Sequence, residues 1–352
     1  MSDRGGLTAV ALGGGHGLYA TLTALRLLTD DVTAVVTVAD DGGSSGRLRR
    51  ELGVLPPGDL RMALAALAAA DDGGVRWREV FQHRFQGNGA LAGHAVGNLV
   101  LAGLLEVLRD PVPVLDEACR LLGVRGRVLP MAAEALDIEA EVSGLDNDAH
   151  SLHRIRGQVA VASTPGRVHR VRLLPERPRP CHEAVAAVRG ADLVVLGPGS
   201  WFTSVIPHLL VPELASALVG TAARTVVVLN LAPQPGETAD FSPQQHLHVL
   251  AGHAPDGFTV DAVLADIDAV TAPQGLHRSA AELGGRAYLD RVASGPASDH
   301  HDPGALAAAL RRIMDPAPDD PAPDPPRRAD AGERGPGAAP APRVGEEEHR
   351  WP

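Results

Sequence analysis

A cluster of glycines near the start of the chain is the first segment whose residue types could bind a ligand. The sequence Gly13-Gly14-Gly15-His16-Gly17-Leu18 follows an apolar run and precedes a helical pattern. Glycines let the backbone approach a phosphate closely, and the unpaired N–H groups of a following helix attract an anion. Leu18 stands where the regular dinucleotide-binding motif has its third glycine, so an ordinary strand-to-helix turn is an equal alternative.

A second segment combines carboxylates with small hydroxyl residues. Asp40 and Asp41 follow a β-branched apolar run, and Ser44 and Ser45 come shortly after them. A carboxylate at a strand end can accept ribose hydroxyls or hold Mg²⁺ through water, and the serines can donate to phosphate oxygens. The alternative is a solvated loop in which one of the serines caps the next helix.

A charged pair follows two prolines. Asp59 stands where the N-cap of a helix is expected, so capping is its predicted role. Arg61 would lie in the first turn of that helix, where the helix dipole opposes a cation. This placement predicts an anionic partner for Arg61, either Asp40 and Asp41 or a phosphate of the ligand.

Two loops in the second half of the chain follow buried-strand patterns. Residues 197–204 predict another glycine loop that opens a helix and can receive a phosphate. Residues 230–238 present amide and hydroxyl groups that suit a sugar or the edge of a base. Taken singly, each loop would more often be an ordinary turn. The candidate binding residues in the two loops are Gly197, Gly199, Ser200, Asn230, Gln234 and Thr238.

The composition excludes several kinds of site. All 32 basic residues are arginines, which excludes a Schiff-base lysine and a phosphate-loop lysine. Two cysteines cannot build a disulfide framework or a cysteine-rich zinc site. The 15 histidines show no H-E-x-x-H spacing, so no metal site is predicted from them.

Charge and hydropathy narrow the class of partner. The net charge of −11 and the aromatic content of 3% argue against a nucleic-acid surface. No apolar run approaches the roughly 18 residues that span a membrane, and the first residues lack the apolar core of a signal peptide. We therefore expect a cytoplasmic protein that binds neither nucleic acid nor a membrane.

The order of the motifs along the chain predicts a parallel sheet. A strand, the glycine turn, a helix over 18–28 and a second strand form a βαβ unit with a right-handed crossover. Buried-strand patterns return at 191–196, 225–229 and 260–264. We predict an α/β, Rossmann-like fold, with helices on both faces of the sheet. Because ligands bind at the carboxyl ends of such strands, the motifs should converge there.

Two regions depart from this pattern. Short alternating stretches predict a β-rich insertion over about 127–175, within a single domain that spans residues 1–314. The stretches are 138–142, 158–162 and 168–173. Residues 315–352 hold ten of the 29 prolines and almost no large apolar side chains, so we expect a disordered tail.

Five segments together resemble one protein family. They read GGGHGL (13–18), VTVADDGGSSGRLRRELGVLPPGDLR (36–61), GHAVGNL (93–99), GPGSWFTSVIPHLLV (197–211) and PQPGET (233–238). Their order is similar to that of the gluconeogenesis factor family, in the superfamily of 2-phospho-L-lactate transferase. The ligand-binding positions that the resemblance implies are Gly13, Gly14, Gly15, Gly17, Asp40, Asp41, Ser44, Ser45, Asn98, Gly197, Gly199, Ser200, Asn230, Gln234 and Thr238.

The resemblance implies a regulator more than a catalyst. It implies binding of a UDP-sugar of the UDP-N-acetylglucosamine type, and a role in cell-wall precursor balance and cell shape on gluconeogenic carbon sources. Such a regulator requires no cofactor and has no catalytic residues. The expected partners are the UDP-sugar, an enzyme of amino-sugar synthesis and further copies of the chain in a homo-oligomer.

Two enzymatic alternatives remain open. In a transferase of the phospholactate type, Asp40 and Asp41 would hold Mg²⁺, which neutralises phosphate charge while an alcohol attacks. A nicotinamide-dependent dehydrogenase is the weaker alternative, because the third glycine of its motif is missing.

Four positions depart from the family pattern. His16 replaces a threonine in the glycine turn, and Met62 replaces an asparagine. Ala232 is part of an Ala-Pro pair in place of Met-Thr, and Asp266 replaces an asparagine at a strand end. We expect each change to remove a polar contact or add charge near the ligand, so the exact ligand stays open.

Overall fold

The computed structural model describes residues 6–146, 151–234, 236–239, 241–295 and 298–315. Its strands are β1 (Thr8–Gly13), β2 (Asp31–Val36), β3 (Arg127–Pro130), β4 (Asp137–Ser143), β5 (His153–Arg156), β6 (Arg167–Leu174), β7 (Leu193–Leu196), β8 (Arg224–Val228), β9 (Ala262–Asp266) and β10 (Arg286–Asp290). Its α-helices are α1 (Gly15–Leu25), α2 (Gly43–Leu52), α3 (Pro57–Leu67), α4 (Asp72–Gln82), α5 (Val96–Leu108), α6 (Pro111–Leu122), α7 (Gln158–Ala162), α8 (His182–Gly190), α9 (Pro212–Gly220), α10 (Pro243–His253), α11 (Pro273–Glu282) and α12 (Pro303–Met314).

Seven strands form one parallel sheet in the spatial order β3-β2-β1-β7-β8-β9-β10. The central strands consist of small and branched apolar residues that are buried on both faces, as expected for a parallel sheet covered by helices. The order reverses between β1 and β7, because the chain leaves β1 toward β2 on one side and leaves β7 toward β8 on the other. Loops that follow β1 and β7 therefore separate and leave a crevice.

Local signals fix the ends of several helices around the sheet. The side chain of Asp110 caps α6, proline occupies its first position, and Gly123 ends it at a φ of 60°. Ser242 and Gln245 form a capping box at the start of α10. Crossovers that run in opposite directions along a parallel sheet place their helices on opposite faces of the sheet. The predicted Rossmann-like α/β fold is therefore confirmed.

A small antiparallel sheet, in the order β5-β4-β6, lies between β3 and β7 in the chain. Residues of β4 alternate between buried and half-buried, so one face of this sheet packs on the core. The predicted β-rich region is therefore present, with two corrections. Residues 127–130 belong to the parallel sheet as its edge strand β3, and residues 158–162 form the helix α7 instead of a strand.

Several elements have no counterpart in the sequence predictions, among them the strands β5 and β10 and the helices α4, α8, α10, α11 and α12. Among the described residues, no single helix has the length and apolar composition of a membrane span, and one sharply bent pair of helical segments, 201–210 with 212–220, passes both criteria. Apart from Asp315, the predicted tail 315–352 lies outside the described residues, so its disorder stays a prediction.

Candidate ligand-binding site

The glycine turn lies where the strand order reverses. Gly13 ends β1, and α1 begins two residues later with Gly14 at its N-cap position and no side-chain cap. A Cβ on Gly14 would lie 2.5 Å from Oδ2 of Asp59, and a Cβ on Gly17 would lie 2.1 Å from the carbonyl oxygen of Pro198. Glycine is required at both positions because the turn packs directly against two other segments.

A cavity of about 510 Å³, here called the main cavity, opens beside this turn. The glycine turn, the loop after β7 and the loop after β8 line it together. The predicted residues that border it are His16, Gly17, Gly199, Ser200, Asn230 and Gln234. The structure thus brings three of the predicted loops together, while ligand binding by these residues stays a prediction.

Asn230 and Gln234 differ in how their side chains are used. Oδ1 of Asn230 accepts from the N–H of Gly199 at 2.8 Å, and Nδ2 donates to the carbonyl of the same residue at 2.9 Å. Asn230 therefore positions the neighbouring loop. Oε1 of Gln234 is buried and has no hydrogen-bond partner among the described residues, although the backbone N–H of Gln234 donates to the Thr238 hydroxyl. Gln234 thus carries a polar group that a ligand could satisfy.

The amide groups predicted to receive a phosphate in the loop after β7 are already hydrogen-bonded. Trp201–Val205 forms one short π-helical turn, and the N–H groups of Phe202 and Thr203 donate to Oε1 of Glu237. The Ser200 hydroxyl donates to Oε2 of the same carboxyl group. The pKa of Glu237 lies above its ordinary value, because burial outweighs these three hydrogen bonds. The amides of Phe202 and Thr203 are therefore occupied by a carboxyl group of the chain, and phosphate binding by the rest of this loop stays a prediction.

A chain of buried polar side chains lies beyond the glycine turn. Nε of Arg61 donates to Oδ1 of Asn98 at 2.9 Å, and Nδ2 of Asn98 donates to Oγ of Ser44 at the same distance. Oγ of Ser44 lies 2.9 Å from Nδ1 of His94. Burial lowers the pKa of His94, so this imidazole stays neutral near pH 7. Three predicted residues therefore contact one another, and His94 joins them.

Asp40 and Asp41 are adjacent in sequence but serve different neighbours. Oδ1 of Asp41 accepts from the N–H of Val159 at 2.9 Å, at the start of α7. Oδ1 of Asp40 accepts from an N–H of its own turn. A Cβ on Gly58 would meet Oδ2 of Asp40 at 2.7 Å and Oγ of Ser45 at 2.3 Å, so these two groups lie side by side against the start of α3.

Asp59 does not cap its helix. α3 begins at Pro57, so Asp59 is its third residue, and the N-cap prediction is wrong. The backbone N–H of Gly15 bonds to the carboxyl group, whose Oδ2 is buried without a partner among the described residues. Burial, and then the charge of Asp40, raise the pKa of Asp59 to about 7 against the opposing effects of Gly15 and Arg61. Asp59 therefore links α3 to the glycine turn and changes its charge near neutral pH.

Comparison with known proteins assigns the family. A family model described as "2-phospho-L-lactate transferase CofD" matches residues 9–294. The chain belongs to this family. It is similar to a "Putative gluconeogenesis factor" of Mycobacterium tuberculosis strain H37Rv, at 62% identity over 304 residues, which cover 86% of this chain and 88% of the relative. It is also similar to the "Gluconeogenesis factor" of Bacillus subtilis strain 168, at 39% identity over 254 residues, covering 72% of this chain and 77% of the relative.

Solved structures agree with this assignment. The crystal structure of a member of the UPF0052 family from Bacillus halodurans matches with a TM-score of 0.78 and 33% identity. The match covers 88% of this chain and all of that one. The predicted resemblance to gluconeogenesis factors within the CofD superfamily is therefore confirmed.

Three of the four residues that depart from the family pattern lie at the two cavities beside the glycine turn. His16 is exposed and borders the main cavity, as does Ala232. Met62 is half-buried and borders a second cavity, which Tyr19, Arg61 and Arg84 also line. Neither Ala232 nor Met62 has a side-chain hydrogen-bond donor, and the loss of polar contacts to a ligand stays a prediction.

Asp266 is used by the fold. Its carboxylate accepts from the N–H groups of Asp268, Val292 and Ala293, at distances of 2.8–2.9 Å. Burial raises the pKa of Asp266, but these hydrogen bonds lower it by more, so the pKa lies below its ordinary value. The added charge is therefore present and is stabilised by backbone N–H groups at the end of β9.

The pair of aspartates does not fit a magnesium site built by the protein alone. Oδ1 of Asp41 already accepts from the backbone of α7 and Oδ1 of Asp40 from its own turn, so each carboxylate keeps one oxygen for an ion. In the described part of the chain, no group of three His, Cys, Asp or Glu side chains could hold a metal ion.

Two residues at the main cavity were missed in the sequence, Glu237 and His301. Nε2 of His301 is buried and has no partner in the part of the chain that the structure describes. Burial lowers its pKa to about 4, and a backbone hydrogen bond at Leu229 only partly opposes this. His301 follows the predicted strands by many residues and has no motif of its own, so no sequence signal indicated it.

Proposed function

We propose that this protein binds a UDP-sugar of the UDP-N-acetylglucosamine type in the main cavity and acts as a cytoplasmic regulator. The proposed role is that of a gluconeogenesis factor, which balances cell-wall precursor supply and maintains cell shape on gluconeogenic carbon sources. An enzyme of amino-sugar synthesis is the proposed protein partner. Membership of the family and the polar groups left unpaired in the main cavity support this proposal.

The start of α1 supports the placement of the diphosphate. The first turn of α1 contains no acidic residue, and its N-cap position is a glycine without a side-chain bond. The first N–H groups of a helix lack helical partners and attract anions. His16 and Gly17 bring this turn to the wall of the main cavity. Because Asp59 already bonds to the N–H of Gly15, the diphosphate is proposed to meet this turn at His16 and Gly17, whereas Glu237 occupies two amides after β7.

Gln234 and His301 support the placement of the uridine or the sugar. Both side chains border the main cavity, and each has one buried polar atom without a partner among the described residues. An unpaired buried polar atom is costly, so a ligand that pairs both atoms gains affinity and specificity. A volume of about 510 Å³ lies in the range of small-molecule sites, which run from about 300 to 1,000 Å³.

Titration calorimetry with UDP-N-acetylglucosamine tests the proposal. Gln234→Met keeps the side-chain length and removes the amide, so affinity should fall roughly two- to tenfold, the value of a neutral hydrogen bond. Gln274→Met, at an exposed position on α11, is the matched control and should bind like the wild type.

The absence of binding, or an equal loss in both variants, would contradict the proposal. The transferase alternative is examined in the same samples, by adding Mg²⁺ and following release of a nucleotide. Release of a nucleotide would show that the protein is an enzyme, whereas binding without release supports a regulator.

A further inference from the structure

A second cavity lies on the other side of the first turn of α1. Its volume is about 350 Å³, smaller than the roughly 510 Å³ of the main cavity. The residues that line it are His16, Tyr19, Arg61, Met62, Gln82 and Arg84. None of the six is acidic. Of these residues only His16 also borders the main cavity.

Arg61 carries a charge into this cavity from a buried position. The residue is 4% exposed, and its hydrogen bond to the rest of the described chain uses Nε, with Oδ1 of Asn98 as acceptor. No hydrogen bond or ion pair among the described residues involves its two terminal amino groups. These donors are therefore available to an anion in the cavity, although Asp59 and Asp40 are close enough to act on the same charge.

Arg84 adds a second guanidinium at the exposed rim. Its Nη1 donates to the carbonyl of Gly93 at 2.9 Å, which fixes the side chain. Burial, and then the charge of Arg84, lower the pKa of Arg61 to about 10. Asp59 and Asp40 oppose this effect. The two guanidinium groups are therefore close enough to repel each other, and an anion between them would relieve that repulsion.

We propose that the second cavity binds the phosphate group of a small phosphate monoester, as a site separate from the main cavity. A phosphate monoester carries a charge of about −1.5 to −2 at pH 7, which matches two guanidinium groups better than a single carboxylate does. The Tyr19 hydroxyl and the Gln82 amide provide neutral donors. The limited volume admits only a short organic group beside the phosphate.

This site would make the protein responsive to a second metabolite. His16 separates the two cavities, and Asp59 bonds to the adjacent Gly15 from the same helix that carries Arg61. An anion bound at Arg61 therefore lies next to the turn that is proposed to hold the diphosphate.

Calorimetric titration with inorganic phosphate and with glycerol 3-phosphate tests the site in the full-length protein. Arg84→Gln should weaken binding of both probes roughly three- to fivefold, because the lost charge is exposed and partly screened. Arg61→Met keeps the apolar stem, and should weaken binding about tenfold or more. Arg76→Gln, at an exposed position of α4 outside the cavity, is the matched control and should bind normally.

Failure of binding, failure of the matched control or competition with the UDP-sugar overturns the proposal. No binding of either probe, or an equal loss in Arg76→Gln and Arg84→Gln, would show that the arginines hold no phosphate. If Arg61→Met does not fold, the Arg84 and Arg76 variants decide alone. Titrations repeated with saturating UDP-N-acetylglucosamine test separateness: direct competition would assign the arginines to the UDP-sugar itself. Phosphate binding without any UDP-sugar binding would retain this site and remove the proposed function.

Discussion

Asp59 should make the stability of this protein fall as the pH rises through neutrality. Its carboxyl group has a pKa of about 7 in the folded chain, against an ordinary value of 3.8. Below pH 3.8 both states hold the proton, and the stabilising contribution is fully present. Between the two values only the unfolded chain releases it. Above pH 7 both states are ionised and the contribution is lost.

The size of the effect follows from the shift. Three pH units correspond to about 4 kcal/mol in total, and about 2–3 kcal/mol of this should disappear between pH 5 and 9. Asp59→Asn resembles the protonated carboxyl group in shape and charge. The difference in free energy of unfolding between the variant and the wild type should therefore shift by about 2–3 kcal/mol in favour of the variant from pH 5 to pH 9.

Urea unfolding, followed by circular dichroism from pH 5 to 9, measures this difference. The contributions of the other titrating groups are the same in both proteins and cancel when the two curves are subtracted. Asp256→Asn, at an exposed loop position, is the control and should run parallel to the wild type. Asp40→Asn should reduce the effect, because the Asp40 charge is the second cause of the raised pKa. Parallel curves for Asp59→Asn and the wild type would refute a buried carboxyl group that ionises near pH 7.

Three further changes have defined outcomes. Gly17→Ala should lower the free energy of unfolding in urea by about 1–3 kcal/mol, because the new Cβ would meet the Pro198 carbonyl. Gly103→Ala in α5 has open space and should raise it by about 0.5–1 kcal/mol, and equal effects would contradict the packing argument. Glu237→Gln should lower the free energy of unfolding by about 1–3 kcal/mol in the same assay, because an amide has one acceptor oxygen for three donors. An unchanged midpoint of unfolding would show that Glu237 does not hold this loop. Deletion of residues 316–352 should hardly move the melting temperature in calorimetry, because that segment has little to bury, and a drop of many degrees would show that it docks.

The parallel sheet and the glycine turn were predictable because their signals are local. The apolar run before Gly13 and the periodic pattern after it specify a strand, a turn and a helix without reference to the rest of the chain. The convergence of the loops then follows from the geometry of parallel strands. Helix α7 was misjudged because alternating Val and Ala over five residues fits a strand as well as one turn of helix.

The roles of individual side chains could not be predicted in the same way. Glu237 bonds to amides 34 and 35 residues earlier in the chain, and Asp41 bonds to an amide 118 residues later. Such pairs depend on how distant loops meet, and composition or periodicity carries no information on that. Asp59 was assigned to the N-cap, three residues after the observed N-cap Pro56, and its contact with Gly15 depends on the packing of two helices.

The bond from Asp41 to Val159 bears on how this chain could change during evolution. It fastens α7, within the insertion, to the loop after β2. Ala162, at the other end of α7, forms part of the wall of the main cavity, and a Cβ on Gly236 would lie 2.5 Å from its carbonyl oxygen. The insertion is therefore not a removable module. Recombination that exchanged it for an unrelated hairpin would open the cavity wall, so the insertion and the loops after β2 and β8 should be inherited together.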